Sequence, residues 1–382
     1  MRRISGAVLS LAIAACGKDE VSPPFVAAMV SAGNGHTCAL KNDGVAYCWG
    51  NNVYDDLGSG NQTPMPRTSP VPVAGGLTFT TLTVGNGAGL IAQHTCALTG
   101  AGTAYCWGWN HFSALGNGTA QDSPIPVPVS GGLTFTALNA GGTFTCGLTS
   151  AQETYCWGQN DYGNLGDSTS MTRPIPVRVT GGHTFRQVSA GVIYTCGLTT
   201  DSVAYCWGLN HKGQLGDGTM DPHFVPTLVA GGHLFATLTT GGQHACAVTA
   251  TGAGYCWGNN NDGQLGIGTT DSLSLTPVAV SGGLVFATIS AGGYHTCGLT
   301  KTGAAYCWGS NSHGELGTGT TSDSRTPIAV SGGLTFASVS SGFLYTCGLT
   351  LSGTVYCWGH NMYGELGNRD TTDRHVPEPV RQ

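Results

Sequence analysis

His295-Thr296-Cys297-Gly298-Leu299-Thr300-Lys301-Thr302-Gly303-Ala304-Ala305-Tyr306-Cys307-Trp308-Gly309-Ser310-Asn311 is the stretch on which the fold turns. Two short runs of apolar, aromatic and β-branched residues flank a polar turn with a glycine, the pattern of a β-hairpin. Folded about that turn, Cys297 and Cys307 face each other across the two strands. The Tyr-Cys-Trp-Gly motif recurs with its cysteine at Cys48, Cys106, Cys156, Cys206, Cys256, Cys307 and Cys357. Each has a partner ten positions earlier: Cys38, Cys96, Cys146, Cys196, Cys246, Cys297 and Cys347. The steps between successive motifs are 58, 50, 50, 50, 51 and 50 residues. A period of about fifty residues marks a repeat architecture in which no unit buries its apolar face alone.

Each unit reads as four strands. In the sixth these are residues 284–290 (strand A), 295–300 (B), 304–308 (C) and a strand D around 327–330, before the Gly332-Gly333 turn. Pro-x-x-Val segments mark seven D strands, from Pro70 to Pro377–Val380, so the last unit is complete and the chain ends meet. The expected fold is all-β: a seven-bladed β-propeller of four-stranded antiparallel blades with one disulfide per blade, spanning residues 25–382. Directly opposed residues in an antiparallel hairpin lie within disulfide reach. A bridge closing so short a loop contributes about 3 kcal/mol in the entropy model, and less where the hairpin is pre-formed. Metal binding is the weaker reading of these cysteines, because one pair per blade supplies only half a tetrahedral site.

Composition agrees. Glycine contributes 62 of 382 residues, only 9% of residues are charged, and no run keeps helical apolar spacing. The net charge is −6, with 14 Lys and Arg thinly spread. That excludes the basic patch a nucleic-acid partner requires.

The N-terminus reads as an address. Met1-Arg2-Arg3 precedes a twelve-residue apolar stretch, Ile4 to Ala15, too short to span a bilayer and suited to a signal peptide. Leu11-Ala12-Ile13-Ala14-Ala15-Cys16-Gly17 resembles the bacterial lipobox, whose cysteine is lipidated and becomes the new N-terminus. Cys16 is also the one cysteine left over from the pairs. Residues 1–16 are thus expected to be a lipoprotein signal peptide and 17–24 a tether. The location that follows is the bacterial cell envelope, by way of a lipid anchor and by preference the outer membrane. The alternative is an ordinary signal peptide with Cys16 incidental.

The block His295 to Thr300, then Tyr306 to Asn311, then Gly314-Glu315-Leu316-Gly317-Thr318-Gly319-Thr320, resembles the repeat of the regulator of chromosome condensation family. All seven units match it. The resemblance implies a seven-bladed propeller and, by analogy alone, guanine-nucleotide exchange on a small GTPase. Paired cysteines are foreign to the eukaryotic pattern and suit an exported version.

Seven copies in one chain separate framework from variation. The motif tryptophans (Trp49, Trp107, Trp157, Trp207, Trp257, Trp308, Trp358) read as core. The Leu-Gly pair and the Asn after Trp-Gly-x read as loop framework, the Asn side chain holding its own turn. His36, His94, His244 and His295 share one repeat position and read as structural. Against these, the C–D loop changes in every copy: Asn51 and Val53-Tyr54, Trp109 and His111-Phe112, Gln159 and Asp161-Tyr162, Leu209 and His211-Lys212, Asn259 and Asn261-Asp262, Ser310 and Ser312-His313, His360 and Met362-Tyr363. The A–B loops vary too, as Thr143-Phe144, Ile193-Tyr194, Gln243-His244, Tyr294-His295 and Leu344-Tyr345. Alternating strand direction brings both loop sets to one face. Tyr54, Trp109, His111, Phe112, Tyr162, His211, His313, Met362 and Tyr363 are therefore the expected partner-binding residues. The second unit is singled out by Trp109 and by an insertion, Gly85 to Ile91. Aromatic side chains simply packing over the loop bases are the alternative.

No acid–base pair, nucleophile set or metal-ligand spacing emerges, so no catalytic residue, metal or cofactor is expected. Asn259 to Gly263 resembles a calcium loop only faintly and lacks the distal glutamate. The function expected is a monomeric binding protein of the envelope, recognising a protein or a glycan through its variable face. The alternatives are the exchange activity above and an enzyme with a site in the propeller mouth.

Overall fold

The computed structural model describes residues 22–61, 64–87 and 94–382. The expected signal peptide with Cys16, residues 17–21 of the expected tether, and part of the insertion in the second unit lie outside them. The described residues form 28 strands in seven sheets, each a consecutive four-stranded antiparallel meander, and no helix. In the sixth blade the strands are Phe286–Ala291, His295–Thr300, Ala305–Gly309 and Ser324–Ala329. Strand D starts earlier than expected because the register slips between Cys307 and Gly309, a bulge that advances the outer strand.

The B–C hairpins have the expected register. Cys297 pairs with Cys307, and all seven cysteine pairs are bonded, with Cα atoms 4.1 Å apart. Strand C alternates, so Tyr and Trp point to one neighbouring blade and Cys to the other. Cys38 and Cys48 of the first blade thus share a core with Tyr105 and Trp107 of the second. Every motif tryptophan is fully buried.

Six of the seven indoles donate to the preceding blade's C–D loop. The acceptor is the carbonyl before Leu-Gly: Glu365 for Trp49, Ala114 for Trp157, Asn164 for Trp207, Gln214 for Trp257, Gln264 for Trp308 and Glu315 for Trp358. The glycine that follows lies on the same ring. A Cβ on Gly166, for example, would stand 2.7 Å from the Trp207 indole nitrogen.

The ring closes by the same contacts, without exchange of a strand between the chain ends. Phe25 packs edge-on against Tyr47 and Trp49, the place Phe79 takes against Tyr105 and Trp107. Its amide donates to Val380, and Pro24 bridges Arg381. The Arg381 guanidinium donates to the Ser22 carbonyl, so Ser22 to Pro24 run along the C-terminal residues.

The C–D loops are held by one asparagine each. In the third blade the Asn160 Oδ1 accepts the Leu165 amide and its Nδ2 donates to Asp167 and to the Thr169 carbonyl. Asn110, Asn210, Asn311 and Asn361 repeat the arrangement. Three residues after Asn the chain turns left-handed, at Gly163, Gly213, Gly263, Gly314 and Gly364. The first two blades lack that glycine and force Asp55 (φ 62°) and Ser113 (φ 63°) into the same conformation. A non-glycine residue there costs roughly 1 kcal/mol. Asp55→Gly and Ser113→Gly should each stabilise the protein by about 0.5–1 kcal/mol, read from denaturant midpoints at unchanged slope. Destabilisation by either would show that these side chains hold their loops.

Candidate functional site

The A–B and C–D loops share a face, tied together by Thr143 Oγ1 donating to Gln159 Oε1 at 2.6 Å. The second residue of each varied A–B pair is withdrawn from that face: Phe144, Tyr194, His244, His295 and Tyr345 are buried between blades. The first residues stay half-exposed around the mouth. There Val192, Ile193, Leu209, Tyr294 and Phe343 line a shallow apolar cavity of about 100 Å³, with Gln214 and Gln243 as its polar edge. Tyr294 and Phe343 meet edge-on at 5.1 Å.

The expected contact residues divide by exposure. Phe112 (39%), Tyr162 (43%) and Met362 (64%) present apolar surface, and His111 and His211 are exposed beside them. Tyr54, His313 and Tyr363 are half-buried. Trp109 is not presented at all, at 3% exposure. It stacks on His111 at 5.3 Å, meets Phe112 at 5.3 Å and receives Tyr54 edge-on at 6.5 Å. Trp109 therefore supports the aromatic cluster from below, and Phe112 and His111 are its outer surface.

Tyr54 lies five residues after its motif tryptophan, and Trp109 two residues after the next one. The same two repeat positions pair His313 with His360, whose rings meet edge-on at 4.7 Å. His313 Nδ1 stands 2.7 Å from Asp373 Oδ2, and His360 Nδ1 stands 2.9 Å from Glu365 Oε1. His313, His360 and Asp373 form a cluster across the sixth and seventh blades. His360 is pushed above its ordinary value: burial opposes the charge, but the Glu365 carboxylate, helped by Asp373 and Glu315, outweighs it. Glu315 and Asp56 are buried below the face, and burial raises both carboxyls, Asp56 well above the usual range. The Trp107 indole nitrogen, at the one blade junction lacking the donated bond, has no partner. The sequence alone points to His313 as a contact residue and gives no reason to join His360 and Asp373 to it. The signal that could have found them is the offset between adjacent repeats, five residues after one Trp against two after the next.

The four histidines at the shared repeat position are structural. His36, His94, His244 and His295 are buried and bond a threonine of the next blade, Thr95, Thr145, Thr296 and Thr346, at 2.7–2.8 Å. Burial lowers His94, His244 and His295 from 6.5 to about 3, with His36 adding to the effect on His94 and His295 to that on His244.

A model of the RCC1-like domain matches residues 89–382, and one of the regulator of chromosome condensation (RCC1) repeat matches residues 29–55. Over 113 residues the chain is 32% identical to the ultraviolet-B receptor UVR8 of Arabidopsis thaliana, an overlap of 29% of this chain and 24% of UVR8. The chain thus matches about a quarter of that relative's length. Human WBSCR16 superimposes with a TM-score of 0.78 at 22% identity, covering 88% of this chain and 95% of that one. Prp20p of Saccharomyces cerevisiae, whose structure was described with its binding to Gsp1p and histones, gives 0.77 at 21% identity, covering 90% and 87%. These two likenesses concern the fold.

The depressed histidines set an acid limit. The unfolded chain takes up protons at these positions below about pH 6.5 while the folded protein does not until about pH 3. Their contribution is complete above pH 6.5 and is lost as the pH falls through that window, by about 1.4 kcal/mol per pH unit for each histidine. His94→Phe, His244→Phe and His295→Phe together copy Phe144 at the same repeat position and should flatten the pH dependence of the urea midpoint between pH 6.5 and 4. An unchanged slope would contradict the assignment.

Proposed function

The chain belongs to the RCC1-like domain family, and from that premise we propose that it is an exported binding protein of the bacterial cell envelope, anchored by lipid at Cys16, that recognises a protein through its A–B and C–D loop face. The observation that carries this reading is the division within the repeat. Below the face the tryptophans, the loop asparagines and the Leu-Gly pairs are the same in all seven units. On it, Phe112, Tyr162 and Met362 stand out of C–D loops whose combination of residues changes from copy to copy. Large apolar side chains on a rigid support suit a protein partner better than a glycan, because they release water over a broad contact without ordering the scaffold.

Export is supported by the residues of Met1 to Cys16 and by seven buried disulfides, which suit an oxidising compartment. The same disulfides weigh against exchange on a GTPase, which takes place in a reducing compartment. Among the described residues that line the cavity at the mouth there is no carboxylate or histidine to serve as the acid and base of a hydrolytic site.

Two measurements test the reading. Palmitate labelling in the native host should mark the wild-type chain and spare Cys16→Ser. Envelope extract passed over wild-type bait should yield one protein that a bait carrying Phe112→Ala, Tyr162→Ala and Met362→Ala loses by at least about tenfold, the effect of some 1.4 kcal/mol. Equal recovery on both baits would remove the face from the proposal, and recovery of no protein on either would remove protein binding.

A further inference from the structure

We propose that His313, His360 and Asp373 form a binding site for one divalent transition-metal ion of the zinc class, on the loop face between the sixth and seventh blades. The inference goes beyond the partner-binding reading and does not depend on it. Each of the three residues offers one ligand atom, and those atoms lie within 4.8 Å of one another, near enough for one ion to replace the His313–Asp373 hydrogen bond between them. Two imidazoles and one carboxylate are the donor set of three-ligand zinc sites, which keep a fourth position open to water or to a donor from another molecule.

The neighbouring groups orient these ligands. Glu365 Oε1 holds His360 at Nδ1, which leaves Nε2 to face an ion. Carboxylates that fix a ligating imidazole through its second nitrogen are the usual support of such sites. The Asn361 amide donates to Asp373 Oδ1 at 2.9 Å, leaving Oδ2 turned to His313. The His313 amide donates to Glu315 Oε2 at 2.8 Å, while Glu315 Oε1 is fully buried with no partner. A buried carboxylate oxygen left without a partner beside His313 is a cost in the metal-free protein. Hydrogen bonds between His and carboxylate satisfy Nδ1 on each ring but leave Glu315 Oε1 unexplained.

The test uses the full-length chain, stripped with chelator and with its disulfides intact. Zinc chloride titrated into it by calorimetry should bind at one equivalent with micromolar or tighter affinity. His313→Ala with Asp373→Asn should weaken that binding by about 100-fold, and Glu365→Gln, which releases the positioning contact, by about 10- to 100-fold. His211→Ala, on the same face, should leave it unchanged. Cys16 is present in all these chains and cancels from the comparison. Because His313 and Asp373 are half-exposed, the double variant should melt like the wild type without metal. Cobalt(II) gives a second readout, with ligand-field bands in the wild type that the double variant lacks. Absence of micromolar binding to the wild type, or equal binding by the double variant, would overturn the site.

Discussion

A tryptophan indole wedged between neighbouring blades is the contact on which the whole ring depends. A four-stranded blade has two apolar faces and no means of covering either alone. The indole covers one by filling the gap to the preceding blade, and its own buried N–H finds its partner in a loop carbonyl there. Threonine shares that carbonyl where it can, as Thr195 does with Trp207 at Asn164. The Leu-Gly glycine then lies flat on the ring, where no larger residue fits. One side chain thereby fixes blade spacing, loop conformation and hydrogen-bond satisfaction together. Six junctions complete the bond. At the seventh, the Trp107 indole nitrogen stays unpaired, and the buried Asp56 lies beside the loop that carries Trp109.

Locking the loop bases in this way makes the loop tips free to vary. The asparagine of each C–D loop spends its amide on the chain around it. The residue before Leu-Gly ties the turn in four blades, as Gln214 does by accepting the Lys212 amide, so variation falls on the two side chains directly after Asn. Adjacent tips are also brought into fixed contact. The residue five after one motif tryptophan meets the residue two after the next, which places Tyr54 on Trp109 and His313 beside His360. At these two junctions the face carries inter-blade pairs of different chemistry: aromatic between the first and second blades, imidazole between the sixth and seventh.

The periodic part of this was legible in the sequence. Tyr-Cys-Trp-Gly with a cysteine ten residues earlier specifies a hairpin, its register and its disulfide, because opposed positions in a hairpin are fixed by the turn. Blade number followed from counting. What escaped was whatever depends on the angle between blades. Trp109 reads as an exposed anchor until the neighbouring Tyr54 and its own His111 are placed on it. Phe144, Tyr194 and Tyr345 read as loop surface, but strand B turns them inward to take the place of the structural histidines. Phe25 replaces the phenylalanine of the other blades from outside their register, and only the ring closure shows it. His360 and Asp373 are distant from His313 in the chain, and nothing within a single repeat predicts their meeting.

The claim that the indole wedge governs the ring is tested most directly by two alanine substitutions compared by equilibrium denaturation. Gly116 and Gly132 have the same backbone φ of 66°, so alanine meets the same conformational penalty at both, about 1 kcal/mol. Around Gly132 there is open space, whereas a Cβ on Gly116 would stand 2.5 Å from the Trp157 indole nitrogen. Gly132→Ala should lose only that conformational penalty, and Gly116→Ala should lose about 1–3 kcal/mol more as the indole is forced from its carbonyl. Equal losses would show that the tryptophan and its glycine adapt freely and that the blades are spaced by something else.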